Sequence, residues 1–235
     1  PENSLYFRIE KGPLRRSFDL NSPEIQQIKT WAIEKKVHIV LGSVAFKDSG
    51  GVDNSTLWVS PSGEVERPYS KIHLFDVDVV GHAPVRESDN FKAGSEVAIK
   101  EIDGWKFGFS ICYDLRFSEL YSFYARQSVD ALLIPSAFLR PTGEAHWEVL
   151  VRARAIESQA FVIAAAQGGE HKYKDIVRET YGHSLVVAPW GNILAGSNSK
   201  DETPVVCLQS EWIDKARAQI PMEQHRKTLS TFVKN

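Results

Sequence analysis

The sequence predicts a mixed α/β or α+β protein, with helices packed on a sheet that carries both hairpins and strand–helix–strand units. Three observations predict it. Short apolar runs at 37–44, 131–135 and 161–166 have the length of buried strands. Turn residues divide other strand-like runs into hairpins, at Asp103-Gly104 and at Pro189-Trp190-Gly191-Asn192. Amphipathic stretches of helical period lie between the apolar runs. No repeat, low-complexity tract or linker interrupts the pattern, so residues 1–235 read as one domain.

The elements follow in order. Ser22-Pro23-Glu24 starts a helix, a capping hydroxyl followed by proline at the first helical position, and the helix runs to about Lys36. The β-branched run 37–44 is a strand. Residues 56–59 form the next, Pro61-Ser62-Gly63 turns it, and 65–71 returns. Residues 81–94 lack a period and read as a long surface loop, a class often functional. Strands over 97–102 and 105–111 flank Asp103-Gly104, and 117–127 is an amphipathic helix. Residues 131–135 are a buried strand. Thr142 caps a helix from Gly143 to about Gln159, and 161–166 is another buried strand. Residues 168–179 read as a further long loop. Strands at 184–188 and 193–195 make a hairpin, and 205–208 closes the list.

Composition narrows the function. Hydrophobic residues make up 43% and charged residues 25%, as in ordinary globular domains. A formal net charge of -2 gives no reason to expect nucleic acid or an anionic membrane as partner. No apolar run approaches the roughly 18 residues that span a bilayer, and no signal peptide is visible. Two cysteines, Cys112 and Cys207, argue against a disulfide framework and fit a cytoplasmic location.

Cys112 stands between the strand Phe107-Gly108-Phe109-Ser110-Ile111 and a helix. A nucleophile at a strand-to-helix elbow has backbone N–H groups beside it, here that of Tyr113, which can bind an oxyanion. Cys207 lies in an apolar run and reads as structural. A thiol needs a base or a cation to become a good nucleophile. None of the seven histidines adjoins the elbow. A carboxylate can act as base and a lysine can supply positive charge; Lys71 ends a strand, and Glu2 follows a proline at the chain start.

Pro1-Glu2-Asn3, Tyr69-Ser70-Lys71-Ile72-His73-Leu74 and Cys112-Tyr113-Asp114-Leu115-Arg116-Phe117 together resemble the three signatures of the nitrilase superfamily, the carbon–nitrogen hydrolases, in that family's order. The resemblance continues through Ala145-His146-Trp147-Glu148, Arg152-Ala153-Arg154-Ala155-Ile156-Glu157, Tyr181-Gly182-His183-Ser184 and Pro189-Trp190-Gly191. It implies a four-layer α-β-β-α sandwich that pairs as a homodimer and needs no metal or organic cofactor. It implies Glu2 as general base, Cys112 as nucleophile, and Lys71 with the Tyr113 N–H as oxyanion stabilisers. Glu87 stands where some members carry a second glutamate. Members begin with a strand and helix ahead of the Pro-Glu motif. The chain opens Pro1-Glu2-Asn3-Ser4 without them, so it reads as N-terminally incomplete.

Nitrile-cleaving members favour Cys-Trp-Glu, whereas Cys112-Tyr113-Asp114 favours amides. The 142–157 helix and Gln167-Gly168-Gly169-Glu170-His171 are similar to the deaminated glutathione amidase branch, whose close relative is omega-amidase. The implied reaction releases ammonia from a small carboxylate-bearing amide through a thioester. Arg116 and Arg140 are candidate carboxylate anchors, with a structural ion pair the stronger reading of Arg116. Ala137 and Phe138 are expected to line the pocket, and His146 to be a hydrogen-bonded structural residue. An inactive scaffold and an N-carbamoyl amine hydrolase remain as rival readings.

Overall fold

The computed structural model describes residues 1–9, 12–78, 84–197 and 203–227. Helix α1 (Pro23–Lys35) leads into an antiparallel sheet of β1 (Ile39–Asp48), β2 (Gly51–Val59) and β3 (Val65–Ser70). Two short strands, β4 (Asp76–Val77) and β5 (Val85–Arg86), pair with each other. A hairpin of β6 (Ile99–Ile102) and β7 (Trp105–Phe109) ends in a 3₁₀ turn, Cys112–Arg116. There follow α2 (Ser118–Arg126), β8 (Ala131–Leu133), α3 (Arg140–Ser158) and β9 (Phe161–Ala164). The hairpin β10 (Gly168–Tyr173) with β11 (Ile176–Tyr181) comes next, then β12 (Ser184–Val187) and β13 (Ile193–Ser197). Helices α4 (Ser210–Gln219) and α5 (Met222–His225) follow.

The larger sheet has the order β13-β12-β9-β8-β7-β6. Its centre is parallel because α2 carries the chain from β7 to β8 and α3 from β8 to β9; its flanks are antiparallel hairpins. Side-chain alternation stacks the layers. On β2, Leu57 and Val59 face α1 and pack with Ile25, Ile28 and Ala32. Between them Trp58 points the other way and meets Phe107 and Phe109 of the larger sheet, ring centroids 5.4 and 6.1 Å away. On that sheet's far side lie Tyr121 and Tyr124 of α2 with Trp147, Val151 and Ala155 of α3. The result is the four-layer α-β-β-α sandwich. No helix among the described residues is long and apolar enough to cross a membrane.

Several local expectations are corrected. Ser22 precedes α1 but makes no side-chain cap; its Oγ instead accepts the Asp19 N–H at 2.9 Å. α3 starts at Arg140 with Pro141 in its first turn, and Thr142 Oγ1 donates back to the Leu139 carbonyl at 3.1 Å. Residues 168–179 belong to the β10–β11 hairpin rather than a loop, because polar side chains there mask the period-2 pattern. Residues 205–208 form no strand, and Cys207 is exposed. Of the stretch 81–94, residues 81–83 lie outside the described residues; the rest contains β5 and the turn after it.

Gly42 on β1 is a close approach that serves the site. A Cβ there would lie 2.4 Å from Pro135 Cβ and 2.7 Å from the Pro1 carbonyl oxygen. Gly42→Ala is therefore expected to lower the melting temperature and the activity together, while Cys207→Ser changes neither, since an isolated surface change is worth about 0.5 kcal/mol at most. Thermal melts and rate assays of both variants check this; an unaltered Gly42→Ala protein contradicts it.

Candidate active site

The N-terminal segment docks on β1. Ser43 N–H donates to the Pro1 carbonyl at 3.2 Å and Ser4 N–H to the Ser43 carbonyl at 2.8 Å. The Gln167 amide donates to the Glu2 carbonyl at 3.2 Å. Glu2 is thereby carried into the gap between the two sheets, where it is 4% exposed. Lys71 arrives from the end of β3, its N–H donating to the Asn54 carbonyl at 2.8 Å.

Lys71 is 1% exposed, and its Nζ donates to Glu2 Oε1 and Glu87 Oε2, both at 2.8 Å. Asn54 Nδ2 on β2 bridges the same two carboxylates, at 3.0 Å to Glu2 Oε1 and 2.9 Å to Glu87 Oε1. The Phe75 N–H adds a bond to Glu87 Oε2 at 2.7 Å. Burial alone would pull the Lys71 ammonium down; the charges of Glu2, Glu87 and Cys112 outweigh it and hold the group well above its ordinary value. The site therefore keeps a fixed positive charge between carboxylates.

Cys112 has φ 48°, the left-handed region that costs a non-glycine residue energy. Its N–H donates to the Pro135 carbonyl at 2.8 Å. Asp114, completely buried, fixes this turn: its carboxylate accepts the Ile111 N–H at 2.8 Å, the Tyr69 hydroxyl at 2.8 Å and the His73 N–H at 2.9 Å. One carboxylate thus ties the cysteine elbow to the segment bearing Lys71. From behind, Arg154 donates twice to the Leu115 carbonyl, at 3.0 and 2.7 Å. Burial first, then the Glu2 carboxylate, pushes the Cys112 thiol well up, while Lys71 and the Ala137 N–H act to lower it. Among the described residues the Tyr113 N–H has no hydrogen-bond partner.

Glu2, Lys71, Glu87, Cys112, Tyr113, Arg116, Ala137 and Phe138 all line one cavity of about 390 Å³. Arg116 makes no ion pair among the described residues; it meets exposed His146 at 3.2 Å and lies 5.3 Å from the Phe138 ring centroid. Arg140 is not part of the cavity. It is exposed and paired outside it with Glu144 at 2.8 Å and Glu179 at 2.5 Å. The cavity also takes in Arg8, Arg178 and the rings of Tyr6, Phe7 and Phe75, none of which the sequence reading singled out. Asn54 was missed as well, since an asparagine in a strand carries no motif by itself. Among the described residues no cluster of three or more His, Cys, Asp or Glu side chains could hold a metal ion.

A buried thiol on a strained elbow, beside a carboxylate and a clamped ammonium, can attack a carbonyl carbon and hold the resulting anion. The carbon–nitrogen hydrolase family model matches residues 1–218. The chain belongs to the carbon–nitrogen hydrolase family. Within it the chain is 34% identical to a deaminated glutathione amidase of Yersinia enterocolitica, covering 99% of this chain and 82% of that one. It is 34% identical to an omega-amidase of Xenopus tropicalis, covering 86% and 72%. The crystal structure of the NitFhit protein of Caenorhabditis elegans matches with a TM-score of 0.81 and 35% identity, over 88% of this chain and 51% of that chain. This carbon–nitrogen hydrolase is thus close to the deaminated glutathione amidase and omega-amidase branch of the nitrilase superfamily.

The electrostatics fix a pH dependence of stability. Lys71 and Cys112 both bind their protons more tightly folded than unfolded, relative to ordinary values of 10.5 and 9.0. Their contribution to stability is complete below those values and is lost as pH rises through the raised folded ones. Melting temperature is expected to fall in alkali, and Cys112→Ala to make the fall shallower. Thermal melts from neutral to strongly alkaline pH test this; identical curves for the two proteins contradict it.

Proposed function

We propose that this cysteine-dependent amidohydrolase cleaves a small amide whose far end is a 2-oxo acid, with deaminated glutathione preferred over 2-oxoglutaramate. The observation that carries the mechanism is the clamp of Lys71 between Glu2 and Glu87 beside the Cys112 thiol. Glu2 accepts the thiol proton as Sγ attacks the amide carbon. The oxyanion is held by Lys71 Nζ and the Tyr113 N–H. Glu2 returns the proton to the departing nitrogen, the amine leaves, and a thioester remains. Water then enters, Glu2 takes its proton, a second oxyanion forms at the same donors, and the acid departs with the thiol restored. Glu87, fixed by Asn54 and the Phe75 N–H, orients Lys71 and presents a carboxylate to the substrate nitrogen.

The substrate preference draws on the similarity to the Yersinia protein and on the tripeptide Cys112-Tyr113-Asp114. The expectation of ammonia as the released amine needs one correction. In deaminated glutathione the scissile γ-amide nitrogen belongs to cysteinylglycine, so cysteinylglycine leaves; ammonia leaves only from a primary amide such as 2-oxoglutaramate. The acid formed is 2-oxoglutarate in both cases and is the product to measure. The exposed apolar side chains Val149 and Ile156 on α3 support pairing as a homodimer.

Cys112→Ala is expected to abolish turnover with the fold retained. Lys71→Ala is expected to cost several orders of magnitude, since losing one oxyanion donor costs about 2.7–4 kcal/mol and the two carboxylates lose their counter-charge as well. Glu87→Gln should lower turnover clearly with a modest change in melting temperature. Steady-state rates of 2-oxoglutarate formation check all three; a Cys112→Ala enzyme within tenfold of wild type removes the nucleophile assignment. With wild type, kcat/KM should rank deaminated glutathione above 2-oxoglutaramate and both far above a simple nitrile. The reverse order of the first two moves the reading to omega-amidase.

A further inference from the structure

Charges of both signs line the cavity. At the catalytic end the single ammonium of Lys71 faces two carboxylates. Elsewhere on the wall stand Arg8, from the segment after Glu2, and Arg178, from β11. Arg178 alternates inward with buried Thr180, and β11 is held beside the elbow by the Tyr181 N–H, which donates to the Phe138 carbonyl at 2.9 Å. Neither guanidinium has a carboxylate partner among the described residues. Arg8 donates through Nη2 to the Gly12 carbonyl, and its buried Nε has no partner. Arg178 Nη1 donates to the Arg8 carbonyl at 3.3 Å.

The other arginines near the cavity are already engaged. Arg86 holds both oxygens of Asp78 at 2.8 Å, and Arg116 meets His146 and Phe138. Two half-buried guanidiniums side by side are costly without an anion, and each side chain offers a fork that fits a carboxylate. Burial, then the charge of Arg8, lowers Arg178 from its ordinary value, the sign of a charge that lacks its counterion.

We propose that Arg8 and Arg178 together bind the carboxylate at the far end of the substrate and so set both the preference for acidic amides and the direction in which the amide enters toward Cys112. This rests on the carboxylate-bearing amide assigned above and names the residues that read the charge. The carboxylate-to-amide axis of the substrate then follows the cavity's own charge separation. A substrate entering backwards would bring its carboxylate against Glu2 and Glu87.

The test uses binding and turnover in parallel. Titrating 2-oxoglutaramate into Cys112→Ala protein reads affinity without chemistry. Arg8→Gln and Arg178→Gln, each added to Cys112→Ala, should weaken it by roughly 10- to 100-fold, the worth of a charge-assisted hydrogen bond. Arg178→Lys, which keeps charge but loses the fork, should recover part of the loss. In the active enzyme the same changes should raise KM for 2-oxoglutaramate with kcat little altered, and lower kcat/KM for the acid at least tenfold more than for its uncharged methyl ester. Equal losses on acid and ester, or unaltered affinity in folded variants, would overturn the anchor. If either Gln variant fails to fold, the other and Arg178→Lys carry the same comparison. Tight, arginine-dependent binding with no hydrolysis of the acid by wild type would overturn the proposed function and leave the anchor standing. No binding to Cys112→Ala protein would remove the anchor.

Discussion

The ammonium of Lys71, buried between Glu2 and Glu87, is the interaction on which the rest depends. A lysine taken out of water at 1% exposure is costly unless its charge is met. Here carboxylates from two elements far apart in sequence meet it at the end of β3: Glu2 from the N-terminal segment and Glu87 from the turn after β5. Asn54 on β2 joins both carboxylates and so fixes the angle between them. Removing any one charge strands the others in a dry site, and breaking such a buried pair costs about 3–5 kcal/mol. In the proposed mechanism the same arrangement is preorganised, because the ammonium is in place before the reaction and needs no reorientation of solvent.

The elbow is the second constraint, and it is coupled to the first. Cys112 sits at φ 48°, a conformation that the surrounding structure must enforce. Asp114 enforces it from inside the turn while holding Tyr69 and His73 on either side of Lys71. Strain at Cys112 and placement of the ammonium thus meet at one carboxylate. The outer layers serve this geometry. α3 presses Arg154 against Leu115, and the two sheets pack together around Trp58.

Much of this was legible in sequence wherever a local signal matches a local structure. The apolar runs of β1, β8 and β9 are buried strands, and Asp103-Gly104 turns a hairpin. Glu2, Lys71, Glu87 and Cys112, separated by up to 110 positions, were legible as a set only through the resemblance of their motifs. Polar strands were not legible. β10 and β11 form a hairpin over the cavity, where one face meets polar groups and the apolar alternation is absent, so Arg178 was lost within an apparent loop. Arg8 and Asn54 were missed because their meaning comes from what lies across the cavity. Arg140, in the first turn of α3, pairs with Glu144 and Glu179, whereas Arg178 of β11 lines the cavity. Cys207 reads as core by composition, yet the segment around it pairs with no sheet.

The cavity brings the Cys112 thiol and its two carboxylates together with Arg8 and Arg178, which have no carboxylate partner among the described residues. In the proposed mechanism Cys112 carries the acyl group of the substrate during turnover. Rapid acid quench of the wild-type enzyme with 2-oxoglutaramate, followed by peptide mass spectrometry, tests it most directly. A hydroxylamine-labile mass increase equal to the 2-oxoglutaryl group is expected on the peptide containing Cys112, absent in Cys112→Ser. Turnover at full rate with the acyl group on another residue, or on none during a burst of amine release, would contradict it.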